Sequence, residues 1–277
     1  MNPIVRSAMF CAVALLDGFA CGYGMTNLSP TVKAQIYEGQ ILSDSSGMGV
    51  HAEWRIEWPE AVSGASSNGL AAIKCQMIDD CFGSLGVGGD KKVSQVYPTP
   101  DKALQLVFSC AYGKLDVPPE DDILSMRAFD FRAILTIRFA DAGYMGYVLE
   151  GYENEGGNGC HSYVSANVLS LETGRRITEK DFMTPAGMEA FPKVFLERIS
   201  RKPDANMYVI GDETDAKSAF GNFIIEPEGI RWWLPAYTVF AGAAGVQDML
   251  VPWQELKPLL MPGKDQVFKG IFTKRAR

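Results

Sequence analysis

The stretch FDFRAILTIRFADAGYMGYVLEGYENEGGNGCHSYVSANVLSL, residues 129–171, decides the fold. In its first part Phe129, Phe131, Ala133, Leu135, Ile137 and Phe139 fall on every second position, the period of a strand with one buried face. Asp141-Ala142-Gly143 is turn chemistry, and Tyr144 to Tyr152 returns as a second strand. The loop Glu153 to His161 (ENEGGNGCH) leads into a third strand, Ser162 to Leu171, and Glu172-Thr173-Gly174-Arg175 is another tight turn. Strands joined this closely must be antiparallel neighbours, because parallel pairs need crossovers of roughly a dozen residues or more. The chain is therefore organised around an antiparallel sheet.

Upstream, His51 to Trp58 alternates in the same way, with Ala52, Trp54, Ile56 and Trp58 on one face and His51, Glu53, Arg55 and Glu57 on the other. Pro59 is expected to end that strand. Leu70, Ile73, Met77, Ile78 and Cys81 then share one helix face. Thr99-Pro100-Asp101 reads as a capped helix start, with Leu104, Val107, Phe108 and Ala111 as its stripe and Gly113 as its stop. Downstream, Thr184-Pro185 opens a helix to about Ser200 whose buried face carries Met188, Phe191, Val194, Phe195 and Ile199. Asn222 to Glu226 and Ile230 to Leu234 flank a hairpin turn. Residues 251–260 lead into a short helix. The fold class is α+β, with helices packed against the sheet.

The ends carry different signals. Arg6, the apolar run Ser7 to Leu16 and the small residues Gly18 to Gly22 have the order of an export signal over residues 1–22. The apolar run falls short of the ~18 residues that a membrane span needs. Cleavage before Cys21 would make that cysteine a lipidation site, the alternative being a cut after Ala20 or Gly22. Residues 23–50 read as an irregular lead-in or linker, and the lysine- and arginine-rich residues 263–277 as a solvated tail. Net charge is −7, which disfavours a nucleic-acid partner. Once the export signal is set aside, Cys75, Cys81, Cys110 and Cys160 suit two disulfides of undetermined pairing, the alternative being buried free thiols.

Candidate chemistry is sparse. Cys160 and His161 are adjacent, and neighbours on an extended chain point to opposite sides, so they are poorly placed as nucleophile and base. With two histidines and no Cys-x-x-Cys pair, no metal site is expected, and no cofactor. The glycines of GSLGVGGD, residues 83–90, follow a helix and lack phosphate-loop spacing. Glu150, Glu153 and Glu155 cluster near His161, an acidic edge suited to a basic partner or, if two carboxylates faced each other, to glycoside hydrolysis. Trp232 and Trp233 are expected to divide between two faces of one strand.

The order of motifs resembles a known family. Gly156-Gly157-Asn158-Gly159-Cys160-His161 resembles the Gly-Gly-Ala-His loop of the RsiV-like extracellular domains, shared by the lysozyme-sensing anti-sigma factor RsiV and the peptidoglycan deacetylase PdaC. Asn167, Leu171 to Arg175 and Ile177 to Phe182 are similar to that family's Thr-Gly-Lys to Asp-Leu-Phe segment. Phe223 to Leu234 with Pro235-Ala236-Tyr237, and Gly242 to Val246 with Val251 to Leu256, resemble its closing segments. Ile56-Glu57-Trp58-Pro59 and the next helix resemble the smaller domain that precedes it, giving an N-terminal strand-helix-helix part, 51–125, and an RsiV-like part, 126–262. The resemblance implies an exported α+β module in the periplasm or at the outer membrane, where a lipid anchor would be its one membrane contact. It implies binding of lysozyme, another basic cell-wall hydrolase or glycan rather than catalysis. A cell-wall glycan hydrolase or deacetylase-like enzyme and a structural envelope protein are the alternatives. Candidate ligand contacts are Glu153, Glu155, Asn158, His161 and Tyr237.

Overall fold

A computed structural model describes residues 32–43, 50–85, 90–115, 129–154, 160–201, 213–234 and 246–273. The expected export signal, Cys21, Glu155, Asn158 and Tyr237 lie outside the described residues, and so do the side chains of Cys160 and His161. The fold is mixed α+β, as expected. A five-stranded sheet has the order β1 (Val32–Ser43), β2 (Val50–Val62), β3 (Phe129–Asp141), β4 (Tyr144–Asn154), β5 (Cys160–Ser170). The pairs are antiparallel except β2 with β3, which is parallel. That pair joins residues 51–125 and 126–262 in one sheet. A smaller antiparallel sheet contains β6 (Phe223–Ile225), β7 (Gly229–Leu234) and β8 (Gln247–Pro252).

Each face of the large sheet carries its own core. On one face α1 (Ser67–Phe82), the short α2 (Val93–Val96) and α3 (Pro100–Leu115) cover Trp54, Ile56, Ala133, Leu135, Ile137, Tyr147 and Leu149. On the other, the small sheet, α4 (Pro185–Ile199), the turns α5 (Glu213–Ala216) and α6 (Trp253–Leu256), and α7 (Lys264–Thr273) cover Val148, Ala166 and Val168. The helix starts obey local rules. Ser66 accepts the Gly69 N–H at 2.9 Å and Thr184 accepts that of Gly187 at 3.0 Å, with Pro185 in the first turn. Thr99 precedes α3 as expected, but its buried hydroxyl has no hydrogen-bond partner and caps nothing.

Several expectations are corrected. Residues 32–43, expected as a linker, form edge strand β1, which pairs with β2 along its length. Pro59 does not end β2: the strand continues to Val62, beyond its pairing with β3, and a register shift at Lys33/Ala34 accommodates it. The strict alternation of β3 breaks at a bulge between Ile137 and Phe139, which sends Phe139 into the opposite core from Ile137. Helix α3 runs through Gly113 to Leu115. The basic tail is largely helix α7, whose Phe268 and Ile271 are buried against Phe182 and its neighbours. Cys75 and Cys81 both lie on α1 as free thiols. Six residues apart on α1, one is exposed and the other sits in the core.

Candidate functional site

Strand parity sorts the candidate residues. Glu153 and Tyr163 share the face covered by α1, while Glu150 stands exposed on the other. Gly151 makes room for the ring of Tyr163, since a Cβ there would stand 2.0 Å from Cζ. So placed, the Tyr163 hydroxyl donates to Glu153 Oε1 at 3.0 Å, and the Ser84 hydroxyl, just past the end of α1, donates to the same oxygen. Phe82 and Phe131 stack beside this group with centroids 6.0 Å apart and planes 13° from parallel. Phe131 is the cross-strand partner of Glu153, and so is His161 on the other side. The sheet therefore brings two predicted residues, Glu153 and His161, into one row at the end that leads to the 155–159 loop.

Deeper under α1 lies a second polar group. Asp80 turns its carboxyl inward and accepts from Tyr147 Oη at 2.5 Å, Gln76 Nε2 at 2.6 Å and Asn167 Nδ2 at 2.9 Å. Asn167 Nδ2 also donates to Ser165 Oγ at 3.0 Å, while its Oδ1 is buried without a partner. Burial holds the Asp80 carboxyl above its usual range, partly offset by its donors and by Arg176. Burial, then the charge of Asp80, raises the thiol of Cys81 and the phenol of Tyr147. Burial and Glu153 raise Tyr163 in the same way.

These shifts bear on chemistry. A thiolate is the reactive form of cysteine, and Cys81 is held well away from it. Glycoside hydrolysis needs two carboxylates converging on one bond, whereas Glu150 and Glu153 stand on opposite faces. Among the described residues no three His, Cys, Asp or Glu side chains gather where they could hold a metal. Nor is any described helix long and apolar enough to cross a membrane. What the arrangement offers is a fixed acceptor: a carboxylate held by Ser84 and Tyr163 through one oxygen.

Sequence reasoning found Glu153 and the segment holding Asn167 but missed Ser84, Asp80, Tyr147 and Tyr163. Asp80, an acid between Ile78 and Cys81 in the buried stripe of α1, was the available signal. Of the two tryptophans, Trp232 is fully buried and Trp233 half-buried against the same core.

No family model matches the sequence, and no characterised protein matches it by sequence. The fold is similar to two crystal structures. A member of the DUF3298 family from Bacteroides fragilis superposes with a TM-score of 0.63 at 14% identity, covering 87% of this chain and 99% of that one. A DUF3298 family protein from Pseudomonas aeruginosa PAO1 gives a TM-score of 0.52 at 10% identity, covering 83% and 95%. DUF3298 is the family of RsiV-like domains, so the likeness agrees with the motif order at the level of fold.

Proposed function

We propose that this chain is an exported, non-catalytic binding module of the cell envelope that recognises a basic cell-wall hydrolase such as lysozyme, or glycan. The observation that carries the reading is Glu153, clamped by Ser84 and Tyr163 at the open end of the β4–β5 pair. With Glu150 exposed on the other face, the two carboxylates of the hairpin stand on opposite sides of the sheet instead of converging. An acidic surface on a chain of net charge −7 attracts a basic partner and speeds encounter in a salt-dependent way. Export is supported by the N-terminal residue order alone.

The test is binding of the purified chain to hen lysozyme, with inhibition of lysis, at two salt concentrations. Wild type is expected to bind more tightly at low salt. Glu150→Ala with Glu153→Ala is expected to weaken binding at low salt and to narrow the salt dependence. Absence of binding at low salt sinks the lysozyme reading and moves the assay to peptidoglycan fragments. Turnover of those fragments that is lost in the double variant would favour an enzyme instead.

A further inference from the structure

Strand β5 is an edge of the large sheet, and part of that edge is closed in an unusual way. Ala166 N–H donates to Asn222 Oδ1 at 2.7 Å, and Asn222 Nδ2 donates to the Val164 carbonyl at 3.0 Å. The side-chain amide thus stands where the peptide group of a neighbouring strand would, steadied by a bond from Nδ2 to the Trp233 carbonyl at 3.1 Å. Further along, Ile177 N–H donates to the Val168 carbonyl at 2.7 Å, and Ser170 N–H to the Arg175 carbonyl at 3.0 Å. The outward-facing residues of β5 are therefore the even-numbered ones.

In an antiparallel strand the N–H and C=O of one residue point the same way. Parity then sends the N–H and C=O of exposed Ser162, and the N–H of Val164, to the outer edge. Among the described residues no group pairs with these three. The opposite edge is blunted: β1 carries Lys33, and a bulge of its neighbour β2 lies opposite that residue, both devices that discourage pairing. The Ser162–Val164 stretch has neither lysine nor proline.

We infer that the Ser162–Val164 edge docks an extended, basic peptide segment of a partner, which adds to the sheet as a strand beside β5. Donors and acceptors at strand spacing are matched by another extended backbone. The charge follows from β4: Glu150 is opposite Val164 on one face, and Glu153 opposite His161 on the other. A strand laid beside β5 would run two strand spacings, about 10 Å, from β4. Lysine or arginine on the new strand and glutamate on β4 close that gap by extending toward each other. The partner's positive charge rests on the reading above; the backbone pairing does not.

The experiment is amide hydrogen exchange on the full chain with the probe peptide acetyl-(Lys-Val)3-amide and its neutral counterpart acetyl-(Thr-Val)3-amide. Ser162 and Val164 amides are expected to exchange freely in the unbound chain and to slow about tenfold or more at saturating basic peptide, with less slowing by the neutral one. Ser162→Pro deletes an outward donor without touching the β4 ladder, and is expected to weaken peptide binding up to about tenfold with an unchanged far-ultraviolet spectrum. The exchange readout on wild type needs no variant to fold. Amides already protected in the unbound chain, or left unprotected at millimolar basic peptide, overturn the inference. So does equal binding by a folded Ser162→Pro. Amide protection without lysozyme binding would sink only the lysozyme reading.

Discussion

Asp80 and Glu179 serve the two cores of the large sheet, and they are held in opposite ways. Glu179 is 2% exposed and accepts the Gly221 N–H with both oxygens at 2.9 Å and the indole N–H of Trp232 at 2.9 Å. One donor is backbone. The other belongs to a fully buried ring packed 4.6 Å from Phe191 and 5.8 Å from Phe223. Asp80 is half-buried, and all three of its donors are side chains, drawn from α1, β4 and β5. Burial raises both carboxyls, and the charge of Arg176 reaches both. The Glu179 side is built from donors that cannot turn away, so it behaves as a sealed clamp between the β5–α4 connection and the small sheet. The Asp80 side is adjustable, and it lies four residues before Ser84, which holds Glu153.

That contrast has testable consequences. The largest effect is expected from Glu179→Ala, which leaves the buried Trp232 indole N–H and the part-buried Gly221 N–H without an acceptor. A loss of about 4 kcal/mol is expected, read from urea unfolding, and a loss under about 1 kcal/mol would break the view of a sealed clamp. Gly151→Ala comes next, because its Cβ would collide with the Tyr163 ring. Overpacking is expected to cost about 2 kcal/mol. It should also lower affinity at the Glu153 end, while Glu179→Ala lowers affinity only in proportion to unfolding.

The smallest and most specific effect concerns pH and Asp80. A carboxyl raised in the folded state binds its proton more readily there than in the unfolded chain. Its ionisation therefore costs stability at neutral pH, and stability recovers as pH falls through the raised value toward the ordinary carboxylate range. Glu179 contributes with the same sign. Asp181 opposes both: bonds from Arg175 hold it low, so its contribution is present at neutral pH and fades in stronger acid. In Asp80→Asn the rise in stability on mild acidification should shrink but not vanish, Glu179 remaining. A slope identical to wild type, measured by chemical unfolding at several pH values, would falsify the assignment.

Much of this architecture was legible in residue order, and the misses have physical causes. Period two in residues 129–171 announced β3, β4 and β5 because a half-buried strand must alternate. Thr184-Pro185 announced α4 because cap and first turn are local chemistry. Strand β1 was missed because VKAQIYEGQILS mixes polar and apolar residues without a clean face. It forms a strand beside the outer edge of β2. Helix α7 was hidden among lysines, although Phe268, Ile271 and Phe272 keep helical spacing. At the candidate site Glu153 was visible as part of an acidic loop, whereas its holders, Ser84 and Tyr163, lie 69 and 10 residues away.

What the sequence determined alone is whatever depends on neighbours within a few residues: the strand period, the Thr184-Pro185 helix start and the tight turns. What tertiary structure decided is which face and which partner each residue met. The Phe139 bulge is the clearest case. Glu57, 80 residues away, accepts the Ile137 N–H at 2.8 Å just where the parallel ladder to β2 has ended. Gly146 leaves space for the Phe139 ring, since a Cβ there would come within 2.3 Å of it. Neither term exists until three strands lie side by side, and together they accompany the turning of one phenylalanine from the core its period predicts into the other.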